Sequence, residues 1–463
     1  MAQESWGEAR LIPTSGINGA DEQERRATSA LLAVMSSVRE FSRTLLQPLG
    51  APAGNIQAFI EVPFILGERR MYPDGLIRVS RGQKTWTALV EVKTGTNELG
   101  AEQLENYLEV ARDNDFQALI TISNQIPAIA SQHPTAVDKR KLRRVELHHW
   151  SWTQILAEAV MQKEHRGVAD PDQAWILGEL IRYLEHPRSG ALQFDDMGAA
   201  WVPVREAVTA GTLRSKDKGV LDVVARFDAL LRFASLQLGR RLGTEVTPAL
   251  SRKELSDPIL RAQTLVESLV SKGTMEGAIR IPDTVGPLVV TVDLRANRVT
   301  CHVDLDAPRE GRPTTRVNWL VRQLRNAPEN VRIEAFAAHA RGPGQAELLR
   351  AVREDPAVLL GDPKRELRSF RIALTTPTAA KRGRGRATFI DSVLNSVDGF
   401  YADVIQHLKA WSAAPPRLRE PLAEPLVPTE TAIDSNALSS QDGAEAPLPP
   451  DDGPRNHWDA GQT

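Results

Sequence analysis

A chain of 463 residues, 41% hydrophobic and 25% charged, has room for two to four domains with sizeable cores and the composition of a globular protein. A net charge of −2 excludes a chain-wide basic surface, and a single cysteine, Cys301, excludes a disulfide framework or a thiolate metal cluster. No apolar run reaches the roughly 18 residues of a membrane span. "MAQESWGEARLIPTSG" lacks the basic start and apolar core of a signal peptide, so a cytoplasmic protein without membrane partners is expected.

Residues 21–46 predict one amphipathic helix, with Leu31, Leu32, Met35, Val38 and Phe41 at helical spacing. "QPLGAPAG" stops it. Strands are expected over 56–66, 72–79 and 85–93, the last two joined by a tight turn in "SRGQK". A helix over 97–114 carries Leu104, Tyr107, Leu108 and Ala111 on one side, and 117–123 is a nearly continuous apolar run, as in a buried strand. The order helix, three strands, helix, strand implies a mixed α/β layer. "RRVELHHWSWTQILAEAVMQ" adds a strand and a helix capped by Ser151, and 170–186 a helix with Pro171 placed early.

Residues 201–272 read as mainly helical. From 279 the pattern changes to a hairpin in "LVVTVDLRANRVTCHVDL", a helix in "TTRVNWLVRQLRNA", a strand in "VRIEAFAA", a helix in "GQAELLRAVRED", a strand in "LRSFRIAL" and a long last helix reaching Trp411. The expected organisation is a flexible stretch at 1–20, an α/β domain at 21–165, a mainly helical region at 166–275 and a second α/β domain at 276–411. The Pro-rich stretch 412–463 buries too little apolar surface to offset chain entropy, and disorder is expected there. It holds nine acids against three bases, a net of −6, which leaves the rest of the chain at +4.

The informative stretch is "YPDGLIRVSRGQKTWTALVEVKTG". Side chains two apart on a strand share a face, so Glu91 and Lys93 point one way and Val92 the other. Charges at the end of an apolar strand need partners, because burying one unpaired costs several kcal/mol. Asp74, after Pro73, lies near the same end if the two strands form a hairpin. Two carboxylates with the Val92 carbonyl between them make a hard oxygen site suited to Mg²⁺ (or Mn²⁺), with Lys93 beside it to orient or help deprotonate a metal-held water.

Pro73-Asp74 followed by Glu91-Val92-Lys93 resembles the PD-(D/E)xK signature of restriction-endonuclease-like nucleases, and the element order is similar to that family's αβββαβ core. Gln103 and Tyr107, one helical turn apart, resemble the Q-x-x-x-Y element of RecB-like nucleases. The resemblance covers about residues 21–160. It implies metal-dependent hydrolysis of DNA phosphodiesters, with RNA not distinguished, in defence, repair or stress response. Asp74 and Glu91 would be metal ligands, Lys93 would position the attacking water, and Gln103 and Tyr107 would support the site or touch DNA. An acid from the first helix is also implied; Glu40 is the candidate, with Glu61 on the first strand as its rival. A homodimer or a partner protein fits enzymes of this kind. The alternative is a catalytically silent scaffold that keeps the fold and works through partners.

Other motifs carry less. Thr94 could contact a phosphate or serve a turn. His148 and His149 are adjacent on a strand, so they face opposite ways and cannot chelate jointly. Asp304 and Asp306 share a face near Asp293 without a third element, and "PDTVGP" has no E-x-K after it. "KRGRGR" (381–386) is a basic loop suited to phosphate backbones or simply to solvent.

Overall fold

In a computed structural model of the chain, the described residues are 11–12, 19–127, 129, 132–192, 194–340, 342–362, 365–379 and 388–413. The stretches 381–386 and 414–463 and most of 1–18 lie outside them, and with them the basic loop and most of the segment expected to be disordered.

The chain opens with α1 (Ala20–Ser37) and α2 (Arg39–Leu46), where one helix was expected. Val38 is extended (φ −104°, ψ 93°), and Ser42 Oγ sits within hydrogen-bond reach of the Met35 carbonyl, which the break leaves without its helical partner, so the apolar stripe continues on a redirected axis. The expected strand over 56–66 also divides. β1 (Asn55–Ile60) joins the main sheet, while β2 (Phe64–Leu66) pairs with β3 (Arg69–Met71) in a separate hairpin. Then come β4 (Gly75–Arg81), β5 (Lys84–Val92), α3 (Ala101–Asp113), β6 (Ala118–Ser123), β7 (Glu146–Ser151), α4 (Trp152–Val160) and α5 (Pro171–Glu185). The five-stranded sheet runs β1-β4-β5-β6-β7, antiparallel through β5 and parallel from β5 to β7.

Strand alternation gives this sheet two apolar faces. Ile77, Val79, Val90, Val92, Ile120 and Ile122 pack with α1, α2 and α5. Leu76, Leu89 and Leu119 pack on Leu104, Tyr107 and Leu108 of α3. At Gly75 an added Cβ would lie 2.5 Å from Leu32, so glycine lets α1 approach the start of β4 closely.

The second half continues with α6 (Trp201–Thr209), α7 (Val220–Leu242), β8 (Thr247–Pro248), α8 (Arg252–Ser256), α9 (Pro258–Lys272), β9 (Thr274–Arg280), β10 (Leu288–Asp293), β11 (Arg298–Asp306), α10 (Pro313–Gln323), β12 (Arg332–Ala337), β13 (Gln345–Leu348), α11 (Leu349–Glu354), β14 (Leu367–Pro377) and α12 (Phe389–Asp403). Its seven-stranded sheet runs β13-β12-β14-β11-β10-β9-β8 and is antiparallel throughout. The stretch "GQAELLRAVRED" is half strand, half helix: residues 345–348 extend β12's edge before α11 begins. The last helix ends at Asp403, short of Trp411.

The helical stretch expected as a region of its own has no separate core. Leu177, Leu180 and Tyr183 of α5 belong to the core of the first sheet, while Trp201, Phe227 and Leu269 of α6, α7 and α9 belong to that of the second. Among the described residues no helix is long and apolar enough to cross a membrane.

Candidate functional site

The β4–β5 register sets the site. Gly75 faces Val90, so Asp74, one residue earlier, comes level with Glu91. Val92 N–H donates to Asp74 Oδ2 (2.7 Å), which pins that carboxylate to the end of β5. Glu91 follows Leu89 on the α3 face and is 1% exposed, whereas Val92 is buried in the opposite core. Lys93, just beyond β5, is fixed through its backbone: its N–H donates to Ile122 O (2.7 Å) and its carbonyl accepts from Trp152 Nε1 (3.0 Å).

Glu91 Oε1 accepts from Lys93 Nζ (2.8 Å) and from Gln103 Nε2 (2.8 Å). Glu91 Oε2 is buried with no hydrogen-bond partner. On α3, Gln103 also reaches Tyr107 Oη (3.3 Å), and that hydroxyl donates to Tyr72 O (3.1 Å). The helix thereby ties β5 to the segment that leads into Asp74. The structure thus brings Asp74, Glu91, Lys93, Gln103 and Tyr107 into one hydrogen-bonded cluster.

Glu40 lies outside that cluster. Its carboxylate accepts from Ala169 N–H (3.3 Å) on the far side of α2. The topology explains this: β1 runs antiparallel to β4, with Asn55 opposite Ser80, so the end of α2 feeds the sheet edge remote from Asp74. The acid that α1 contributes is Glu24, in its first turns. Glu24 Oε2 lies 3.3 Å from Lys93 Nζ, and Oε1 accepts from Asn97 Nδ2 (2.7 Å) and Thr94 N–H (3.4 Å). The signal for Glu24 was present in the sequence: with Thr28, Leu31 and Met35 it falls on the apolar stripe, where an acid is out of place. Glu61 is exposed and pairs with Arg25 (3.0 Å), although its N–H donates to Asp74 O (3.2 Å).

The charges interact strongly. Burial raises Glu91 to about 8, and the nearby charge of Asp74 pushes the same way against Lys93. Burial also raises Asp74, opposed by the Val92 N–H and by Lys93. Burial alone would lower Lys93, but Glu91, Glu24 and Asp74 outweigh it and hold the ammonium above its usual range. Burial, with Glu91 adding, takes Tyr107 up to about 12, so its hydroxyl stays a donor. Two carboxyls thus pair with one ammonium and a third, Asp74, lies within its field, an arrangement short of positive charge.

The polar row continues across the sheet. Thr121 on β6 is level with Glu91, and His149 on β7 is level with Thr121. Thr121 Oγ1 lies 2.8 Å from both His149 Nδ1 and His133 Nε2. His148, as alternation requires, faces elsewhere and meets Glu146 (3.0 Å). Thr94 Oγ1 is a second buried, unpartnered polar atom near the site. In the second sheet Asp304 is taken by Arg371 (2.8 and 2.9 Å), which accounts for that acid structurally.

No protein-family model, no curated protein and no solved structure matches the chain significantly.

Proposed function

We propose that the cluster at the end of β5 is a metal-dependent phosphodiesterase site acting on DNA, built on a restriction-endonuclease-like core. One observation carries the reading: Glu91 and Glu24 both pair with Lys93 at a sheet end, Asp74 is pinned level with Glu91 by the Val92 N–H, and Glu91 keeps a buried oxygen without a partner. An orphaned carboxylate oxygen beside a second carboxylate has the chemistry of a hard cation ligand, and the burial that raises both Asp74 and Glu91 is the cost that a bound cation would relieve. Asp74 and Glu91, with the Val92 carbonyl, are the residues that would hold Mg²⁺ or Mn²⁺.

Such an ion, when bound, lowers the pKa of a coordinated water and offsets charge on the phosphate. Lys93 stays protonated, so its part is to orient the water and stabilise negative charge, not to act as the base. Glu24 and Asn97 fix where the ammonium can reach, and Gln103 holds the Glu91 carboxylate. The water oxygen forms the new P–O bond as the ester P–O bond breaks, leaving a phosphate monoester and an alcohol.

The test is incubation of supercoiled, linear and single-stranded DNA with Mg²⁺ or Mn²⁺. Lys93→Ala and Asp74→Ala should each lower cleavage by at least about a hundredfold, the loss typical of removing one charge-stabilising group. Glu24→Gln should lower kcat with little change in KM, because it acts through Lys93. Equal cleavage by the wild type and by both alanine variants would sink the proposal.

A further inference from the structure

A cavity of about 440 Å³ lies between α4 of the first half and α7 and β8 of the second. Its walls include Ile129, Met161, Val246, Leu250 and Leu255, and its lining also includes the guanidinium-bearing Arg232. Arg232 is 6% exposed. Two of its N–H groups are used, by Pro127 O (2.8 Å) and Gln154 Oε1 (3.0 Å), and both acceptors are neutral. Among the described residues no carboxylate forms an ion pair with it. Glu158, on the same wall, is taken by Arg166 (3.0 Å), and Glu245 is exposed. Burial lowers Arg232 to about 10, which leaves it a cation at neutral pH. The nearby His149 is pushed further down by that charge. A second arginine, Arg280, is exposed and lines the same cavity without an ion pair among the described residues.

A buried cation without a counter-charge is costly, and neutral acceptors offset only part of that cost. Here the remaining donors belong to a group that lines a space large enough for a small molecule. The geometry points to a second binding site, one that takes a small organic anion with its oxyanion head on Arg232 and its apolar body on Ile129, Met161, Leu250 and Leu255. Arg280 attracts the head at the entrance. The guanidinium fork suits a phosphate or a carboxylate alike, so the shared oxyanion is the assigned chemistry. The inference does not depend on the phosphodiesterase reading.

The experiment is thermal unfolding of the full chain in EDTA, in a Lys93→Ala background so that the first site does not contribute. Inorganic phosphate, a nucleoside 5′-monophosphate and octanoate are titrated at constant ionic strength against chloride. At least one should raise the melting temperature saturably, as ligands of the native state do. Arg232→Gln should abolish that rise. Arg280→Gln, at an exposed position without an ion pair among the described residues, should shift the titration midpoint at least about threefold to higher concentration. No rise with any of the three probes overturns the assignment, as does a rise that survives Arg232→Gln. If Arg232→Gln does not fold, an unchanged midpoint in Arg280→Gln overturns it.

Discussion

His149 and His133 form a directional chain with Thr121, and its protons can be assigned from the partners. His149 Nε2–H donates to Gln125 O (3.0 Å), so its Nδ1 accepts the Thr121 hydroxyl proton. Thr121 Oγ1 then accepts from His133 Nε2–H, and His133 Nδ1 accepts from Thr135 N–H (3.0 Å). Both rings are neutral in this arrangement, in line with burial lowering both, His149 to about 3. The sign follows. Above the unfolded value near 6.5 the His149 ring is neutral in both states. Below it, only the unfolded chain takes a proton, so stability falls as pH drops from about 6.5 toward 3, by up to about 1.4 kcal/mol per unit. Urea unfolding at pH 7.5 and pH 5.0 should therefore cost the wild type about 2 kcal/mol more than His149→Gln, which keeps a donor for Gln125 O but does not titrate. Identical pH slopes would show that the ring is not held neutral.

Among the elements, the β2–β3 hairpin has the most bearing on substrate. Phe64 fixes it against Phe116 (5.8 Å, edge to face), and Tyr107 holds its exit at Tyr72. Its other face is open: Ile65 is 75% exposed, Tyr72 is 51% exposed and Arg70 opposite Ile65 is exposed; Arg69, beside the turn, is exposed as well, and neither arginine has an ion pair among the described residues. This face leads within two residues to Asp74. If DNA is the substrate, Arg69→Ala/Arg70→Ala should weaken binding measured in EDTA, uniformly across sequences, and reduce the slope of log K against log salt by about 1.8 for two duplex phosphates. An unchanged slope would put the DNA path elsewhere. The hairpin also marks what the sequence left unreadable. "IQAFIEVPFIL" (56–66) is dense enough in apolar residues to read as one strand, and the left-handed Glu61 (φ 51°) divides it into β1 and β2. Glu91 and Lys93 were legible because strand period alone places them. Glu24 was only half legible: its place on the apolar stripe sets it apart, but linking it to Asp74 requires knowing which sheet end the helix meets, and that depends on β1 running antiparallel to β4. Likewise, nothing local separates α5 from α6, whose allegiance to different cores is set by tertiary packing.

At the scale of the molecule, two sheets carry separate cores. One joins the first sheet to α1, α2 and α5; the other joins the second sheet to α6, α7, α9 and α12. Between them α4 meets α7 through the contact of Arg232 with Gln154 beside a cavity, Arg240 of α7 pairs with Glu185 (2.9 Å) and meets His165 through its carbonyl (2.9 Å), and Ile126 is the partly buried apolar residue of the first half that packs on the second core. A junction of that kind transmits little cooperativity, so calorimetry should resolve two transitions. Leu180→Ala, at a residue with no exposure in the first core, should lower one of them by about 2–5 kcal/mol, and Phe370→Ala, equally buried in the second, should lower the other by about 3–5 kcal/mol. Mg²⁺ discriminates further. An ion held by Asp74 and Glu91 stabilises only the half that contains them, so it should raise the Leu180-sensitive transition and leave the Phe370-sensitive one in place. One transition moved by both substitutions would mean that the α4–α7 contact welds the halves into a single cooperative unit. Two transitions both raised by Mg²⁺ would locate cation binding outside the β5 site as well.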